Sequence, residues 1–349
     1  MSTEKFIFLF LGESLFLSIL NTFNSSVILL HIHTIIMDVM RKTKEKKHLA
    51  KGKIALIQYS IIGVCAIAVG VAAGVVLKKR FGPVETDYTG FNPEAFRMDG
   101  KALVEEYEKN KNKDFTPAAL VNIGLEKYRS AENSYSIGVG LADTIVKQTI
   151  RNFQIRNGDQ YFEEQISKSS MVSLANRAVQ KEEDKVQVYK GKAKDTELSE
   201  YQDGAKDYTI DGFKESWGKT LKDVFIYLIC DETVISEGTS VTKKDGIIKV
   251  QLELDPEIAS YYYKQQMKSL SDLSALPTFE YLRQTYFFDA NNMNILHSIF
   301  DEKYQATMSG ITATIVNHLD YYYHTDEFLK IPEINENLDY SVEGETKYE

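Results

Sequence analysis

The sequence predicts an α+β fold: a large, curled, half-barrel-like antiparallel sheet with about three covering helices, preceded by a transmembrane helix. Three observations predict it. An apolar run occupies 54–77, apolar residues alternate along much of 134–325, and turn dipeptides such as Asn157-Gly158 separate the alternating segments. A helix of about 20 apolar residues crosses a bilayer core, whereas alternation with period two is typical of strands that bury one face.

The predicted transmembrane helix is the run Ile54–Leu77, which is apolar in all but two positions. It is longer than the apolar region of a cleavable signal peptide, which has about 7–15 residues. Seven Lys and Arg residues at 41–53 precede the run, and three at 78–80 follow it. Because basic residues stay on the cytoplasmic side, we expect the N-terminus in the cytoplasm and the C-terminal domain outside the cell membrane. Cleavage after Ala72-Ala73 would instead release that domain.

Small residues recur along one side of this helix, at Gly63, Ala66, Gly70 and Gly74. Such spacing lets two helices pack closely in a membrane, so a homodimer through the helix is one interpretation. Cys65 lies in the same run, but Ile62, Gly63 and Val64 before it do not form a lipoprotein signal. We therefore interpret it as an ordinary intramembrane cysteine.

Residues 1–53 form the predicted N-terminal segment, and two interpretations of 1–36 stay open. The segments 6–23 and 27–36 are apolar but interrupted by polar residues, and they would form an additional span. The favoured alternative is a chain that begins at Met37 or Met40. In both interpretations residues 41–53 form a basic cytoplasmic head.

The charge is distributed unevenly along the chain. The net charge is −9, but residues 1–80 carry eleven basic and four acidic groups, which leaves −16 for the remainder. Nucleic-acid binding requires clustered Lys and Arg, so we expect no nucleic-acid partner. Cys230 is the single cysteine after the apolar run, and an exported domain without disulfides fits a Gram-positive-type bacterial surface.

The first folded elements follow a linker at 78–98, which contains two glycines and two prolines. A charged, helix-favouring stretch covers 99–112. Thr116-Pro117 then combines a capping side chain with a proline suited to the first helical turn. Apolar residues at helical spacing continue from there to Ser130, so a second helix is predicted over this range.

From Ser134 the period changes to two, which predicts one long strand to Ile155 and a hairpin at Asn157-Gly158. A second hairpin is predicted at Asp245-Gly246, and Asp255-Pro256 predicts a helix start. The remaining elements are strands at 161–168, 171–181, 186–190, 224–230, 234–242 and 247–254, a loop at 191–206, and helices at 207–219 and 256–273.

The end of the predicted domain, which covers 99–325, is a three-stranded meander. Its strands are Phe279–Phe287, Ile295–Tyr304 and Ile311–His324. Beyond it, residues 326–349 hold eight acids against two lysines, a composition typical of a disordered tail.

The order of elements resembles the LolA/LppX-like superfamily of exported lipid- and lipoprotein-binding domains. The helix Thr116–Ser130 and the meander FEYLRQTYFFDANNMNILHSIFDEKYQATMSGITATIVNHLDYYY carry the resemblance, which covers about Asp99–Thr325. It implies an apolar groove between sheet and helices that shelters an acyl chain or a similar molecule. Many relatives carry a lipoprotein signal or are soluble, whereas this chain has a helix anchor, which favours a tethered protein over a shuttle.

The candidate groove-lining residues are apolar or aromatic residues on the predicted inward faces. They are Leu120, Ile123, Trp217, Tyr262, Phe279, Tyr281, Ile315 and Tyr321. Some belong to the runs Tyr261–Tyr263 and Tyr321–Tyr323, where the rings either pack in the core or stack on a sugar or a lipid headgroup.

The predicted function is a membrane-anchored, extracytoplasmic, non-catalytic binding protein for a lipid or another apolar molecule of the cell envelope. The alternative is a structural or sensory domain that contacts cell-wall polymer or a partner protein. No nucleophile, phosphate-loop or dinucleotide motif occurs, and Cys230 in an apolar segment predicts an inert thiol. The histidines His297, His318 and His324 lack metal-site spacing and are predicted at the surface. We expect no cofactor and no metal.

Overall fold

Twelve antiparallel strands form one sheet in the computed structural model. The structure describes residues 87–144, 147–170, 173–194, 197–201, 206–217, 219–223, 226–270, 273, 275–308, 311–333, 336, 338 and 341–349. Eleven strands follow the order β6-β5-β4-β3-β2-β1-β12-β11-β10-β9-β8, and β7 pairs with β5 beside this path. The first and last strands, β1 and β12, therefore meet in the middle of the sheet.

The strands are joined mainly by short connections, so most neighbours in sequence are neighbours in the sheet. Their bounds are β1 Asn133–Asp143, β2 Lys147–Asn157, β3 Gln160–Lys168, β4 Ser173–Glu182, β5 Lys185–Lys194, β6 Glu197–Tyr201, β7 Lys206–Thr209, β8 Val234–Lys244, β9 Ile247–Leu254, β10 Thr278–Asp289, β11 Ile295–Met308 and β12 Ile311–Thr325.

Four α-helices and a short 3-10 helix, Pro93–Phe96, accompany the sheet within the described residues. The α-helices are α1 Gly100–Lys109, α2 Pro117–Ser130, α3 Ile210–Trp217 and α4 Tyr261–Leu270. The Thr116 side chain accepts a hydrogen bond from the backbone N–H of Ala119 and caps α2, with Pro117 in the first turn. Such a cap contributes about 1 kcal/mol, and it places the start of α2 where the sequence predicts it.

Two hairpins use the backbone conformations that their turn residues favour. Asp245 and Gly246 both have positive φ, 52° and 79°, and join β8 to β9. Between β2 and β3 the turn residues are Gly158, with φ 57°, and Asp159. Positive φ at the turn matches the right-handed twist of the flanking strands. The β8–β9 hairpin confirms the predicted turn, whereas the turn between β2 and β3 lies one residue later than predicted, because Asn157 ends β2 and pairs with Gln160.

Helix α2 packs on the face of the sheet that we call the inner face, over β8, β9 and β11. The core there combines Ile123 of α2 with fully buried residues of the strands, among them Val250, Leu252 and Tyr286. Gly124 lies so close to the Phe288 ring that a Cβ atom would overlap it. This region of the inner face is therefore a close-packed apolar core.

The opposite face, which we call the outer face, contacts the C-terminal segment. Ile331 is buried there against Ile137, Phe153 and other apolar residues of β1 to β4, with Leu329, Leu338 and Val342 beside it. Where the sequence predicts a disordered acidic tail, the described residues of this segment pack on the sheet. Four apolar side chains spaced along this acidic stretch pack against the apolar residues of the sheet, and the burial of apolar surface stabilises the contact.

The predicted fold class is corrected for the described residues to one large antiparallel sheet with four α-helices, and none of these helices is long and apolar enough to cross a membrane. The longest of these helices, α2, has 14 residues, whereas a span needs about 20. The predicted run Ile54–Leu77 lies outside the described residues, and so do its proposed packing residues Gly63, Ala66, Gly70 and Gly74.

The prediction of about nine strands and three helices was wrong as well. The predicted long strand after Ser134 is two strands, β1 and β2, which reverse direction near Thr144. The predicted loop at 191–206 contains the end of β5 and all of β6. No strand is present at 226–230. Alternation continues through a turn without a visible break when no Gly or Pro marks it, which explains the fused strand.

Candidate functional site

A cavity of about 290 Å³ lies between the inner face of the sheet and helix α4. Its sheet side comes from β1 to β4 and from β11 and β12, and its other side comes from α4 and from Lys219, Ile226 and Tyr227 of the connection between α3 and β8. The cavity is next to the close-packed core under α2 on the same face.

Seven side-chain amides line this cavity: Gln148, Asn152, Gln154, Gln165, Asn176, Gln266 and Asn317. Gln148, Asn152 and Gln154 occupy alternate positions of β2, and residues spaced by two point to the same face of a strand. The Asn152 amide donates to the Tyr321 hydroxyl at 2.7 Å, and the Gln154 amide donates to the Glu163 carboxylate at 3.2 Å. One wall of the cavity is thus rich in hydrogen-bonding groups.

Another part of the cavity wall is aromatic. The rings of Tyr227 and Tyr263 have their centroids 5.2 Å apart, Tyr227 meets Phe300 edge-on at 5.7 Å, and Phe300 contacts Tyr321 at 5.2 Å. All four residues line the cavity. They come from the connection before β8, from α4, from β11 and from β12, so only the folded chain forms this wall.

A buried ion pair closes one side of the cavity. Lys219 donates to the Glu163 carboxylate, and both residues are buried. Gln154 donates to the same carboxylate oxygen, Oε2. Because its charge is compensated by a hydrogen-bonded partner, Glu163 needs no further cation.

Glu302 of β11 is fully buried directly behind the cavity wall. The hydroxyls of Tyr227 and Tyr263 donate to it, and so does the Asn317 amide, whose nitrogen lies 3.3 Å from Oε2. These three donors line the cavity. No Lys, Arg or His among the described residues forms an ion pair with Glu302.

The surroundings of Glu302 change its acidity. Burial raises its pKa to about 7, although the hydrogen bonds from Tyr227, Asn317 and Tyr263 act in the opposite direction. Burial likewise raises the pKa of the Tyr227 and Tyr263 hydroxyls, so these groups remain protonated donors. The site therefore holds a carboxyl group that changes its charge near neutral pH.

One polar atom of the cavity wall has no hydrogen-bond partner. Asn317 donates through its amide nitrogen, but its buried oxygen, Oδ1, accepts no hydrogen bond. A buried acceptor without a donor costs about 1–3 kcal/mol. A ligand donor at this position would remove that cost.

Of the eight predicted groove residues, Tyr321 lines the cavity. Leu120 and Ile123 belong to the core under α2, and Trp217 stacks on Phe213 in a separate core at α3. The remaining four have other positions: Tyr262 donates to Glu94, Phe279 packs on Tyr304, Tyr281 lies opposite Lys303 on the outer face, and Ile315 pairs with Tyr304.

The cavity residues that sequence reasoning missed are the amides and Glu302. The predicted groove lining is apolar or aromatic, whereas the wall also uses polar residues at strand positions that face inward. The detectable signal is a set of polar residues on one face of a strand, as at Gln148, Asn152 and Gln154 on either side of Ile150. That signal becomes meaningful only when the register shows which face of the strand is covered.

The histidines lie on the outer face, away from this cavity. His318 and His324 are partly exposed, but His297 is fully buried, so its predicted surface position was wrong. His297 donates to Asp320 at 2.9 Å between the rings of Phe287 and Tyr322. No group of three metal-binding side chains occurs among the described residues.

Cys230 is buried, as predicted for an inert thiol, and burial raises the pKa of that thiol. Its sulfur lies 3.8 Å from the Thr233 hydroxyl. It does not line the cavity.

No model of a known protein family matches the chain, and no curated protein is significantly similar to it. The resemblance to the LolA/LppX-like superfamily stays a prediction. The function is therefore argued from the site alone.

Proposed function

We propose that this protein binds a small amphipathic molecule in the cavity under α4 and does not transform it. The cavity itself carries this proposal: a space of about 290 Å³ that is lined both by aromatic rings and by side-chain amides. Ligand pockets commonly combine apolar lining with a few convergent polar groups, and their volumes begin at about 300 Å³. The size supports a compact ligand.

The chemistry of the walls favours an amphipathic ligand over an unsubstituted acyl chain. A methylene chain would contact the rings of Tyr227, Phe300 and Tyr321 but would leave the buried oxygen of Asn317 without a hydrogen-bond donor. Each buried amide without a partner costs about 1–3 kcal/mol. A ligand with an apolar face and a polar face matches both walls.

The arrangement of reactive groups supports binding without a chemical step. The serines at the cavity, Ser136 and Ser167, have no histidine beside them, because the histidines of the described domain lie on the outer face. A serine nucleophile requires an adjacent base. This is why we propose a binding protein.

The experiment titrates the purified full chain with N-phenyl-1-naphthylamine, a neutral aromatic probe that fluoresces when it leaves water. We expect saturable binding with one site per chain. Ile150→Trp places an indole in the cavity from β2 and should weaken binding at least tenfold, because Ile150 lines the cavity. Met267→Trp fills the same space from α4 and should have the same effect.

The matched control is Thr149→Trp, one residue from Ile150 on the exposed side of β2. It should bind the probe as the parent chain does. Thermal unfolding of all variants verifies that they are folded. Binding that is non-saturable, or equal in all three variants, would contradict the proposal.

A further inference from the structure

The hydrogen-bond donors and cations that the cavity wall lacks indicate which chemical class of ligand it binds. The relevant part of the wall is Asn317, with Glu302 behind it. The Asn317 oxygen accepts no hydrogen bond, and the Asn317 amide joins it directly to the buried carboxyl group of Glu302. A ligand that binds here has to supply hydrogen-bond donors.

The same place lacks positive charge. All the hydrogen-bond donors to Glu302 are neutral: two tyrosine hydroxyls and one amide. Taking a carboxylate out of water costs several kcal/mol unless a cation compensates it. Lys219, the cation of the cavity, is already paired with Glu163. The compensating cation for Glu302 is therefore not among the described residues.

The aromatic wall suits a cation at this position. The rings of Tyr227, Tyr263, Phe300 and Tyr321 line the cavity beside Asn317. The face of an aromatic ring attracts a cation, and the attraction grows when water is excluded. Three features of the site favour the same kind of ligand: the aromatic rings, the Asn317 oxygen without a donor, and the Glu302 carboxyl group without a cation. That ligand carries a positive charge and donates hydrogen bonds.

We propose that the cavity selects ligands that carry a protonated amine, which donates to Asn317 Oδ1 and places its charge against the tyrosine rings in front of Glu302. This inference rests on the proposed function, since it names the ligand class of the same cavity. It predicts that tighter binding of the amine requires the ionised form of Glu302.

The titratable groups around Glu302 determine the pH dependence. They are Tyr227 of the connection before β8, Tyr263 of α4, Tyr304 and Asp301 of β11, and Tyr321 of β12. Burial raises the pKa of all four tyrosines, so Glu302, with a pKa of about 7, is the one that changes charge near neutrality. Below its pKa a bound cation has to displace a proton, and affinity should fall about tenfold per pH unit.

The experiment compares 2-phenylethylamine with 2-phenylethanol by calorimetric titration of the full chain. The two probes share size and ring but differ in charge and in the number of donors. At pH 8 we expect the amine to bind at least tenfold more tightly than the alcohol. At pH 5.5 this preference should disappear.

Glu302→Gln should abolish the preference for the amine at pH 8. Asp301→Asn is the matched control, because Asp301 is the adjacent acid, points to the outer face and pairs with His318. It should retain the preference. If Glu302→Gln does not fold, titrations of the parent chain at pH 6.5 in two buffers of different ionisation enthalpy replace it: the amine should release a proton on binding and the alcohol should release none.

Two outcomes separate this inference from the proposed function. Equal binding of amine and alcohol, or an unchanged preference in Glu302→Gln, overturns the inference, and the proposed function then stands if N-phenyl-1-naphthylamine binding still depends on Ile150. Absence of binding for all three probes overturns both.

Discussion

The two faces of the sheet each bury an acid, but in opposite electrostatic surroundings. Glu302 of β11 faces inward, receives hydrogen bonds from neutral groups only, and has a pKa of about 7. Asp320 of the neighbouring strand β12 faces outward and is paired with His297 at 2.9 Å and Lys347 at 3.0 Å. Burial raises the pKa of Asp320 too, but these two hydrogen bonds outweigh burial and lower it to about 2.

The difference separates a structural site from a candidate ligand site. On the outer face the C-terminal segment supplies Lys347, and it also places Glu345 on His324 and the Tyr348 ring on Phe287. The acid there is compensated by the chain itself. On the inner face the acid lies behind a cavity wall and lacks such compensation, which is the arrangement expected where function requires a perturbed group.

The largest expected effect is on the pH dependence of stability, through Glu302→Gln. Because the folded state raises the pKa of Glu302 from 4.5 to about 7, the unfolded chain loses this proton first, and the parent chain should lose about 3 kcal/mol of unfolding free energy between pH 4.5 and pH 8. In the variant, the free energy of unfolding should not show this decrease between pH 4.5 and pH 8. Urea unfolding at both pH values measures it, and the same pH dependence in both chains would contradict the environment described for Glu302.

The charge of Asp320 should affect the pH dependence of stability in the opposite direction, and Asp320→Asn tests this. Since the pKa of Asp320 is lowered in the folded state, its stabilising contribution is present above pH 3.8 and is lost as the pH falls towards 2. We expect a loss of about 1–2 kcal/mol at pH 7, because the variant removes the charged acceptor of a buried hydrogen bond. The difference from the parent chain in urea unfolding should shrink between pH 7 and pH 3. A constant difference would show that Asp320 is not paired as described.

The smallest expected effect is that of Lys347→Met. Lys347 is half exposed and His297 remains paired with Asp320, so the loss of stability should be about 0.5 kcal/mol. The pKa of Asp320 should nevertheless rise, which carboxyl NMR titration measures directly. Lys330→Met, in the same segment, is the control and should leave that pKa unchanged. If the pKa of Asp320 stays low in Lys347→Met, the hydrogen bond from His297 alone lowers it.

Local signals predicted those elements whose chemistry is contained within a few residues. Thr116 and Pro117 predicted the start of α2, and Asp245 and Gly246 predicted the β8–β9 hairpin. Capping and positive φ depend on neighbouring residues alone, so these signals are reliable. The reversal near Thr144 carries no such signal, and β1 and β2 were therefore predicted as one strand.

For the candidate site, the sequence by itself determined an abundance of inward-facing aromatic residues, and it identified Tyr321 among them. Only the tertiary structure decided that Glu302 and the amides of β2 line or support a cavity. Strand alternation defines two faces but does not say which face is covered by α4 and which by the C-terminal segment. The pKa values of Glu302 and Asp320 depend on which face each residue occupies. Burial and charge pairing there involve groups brought together from distant parts of the chain.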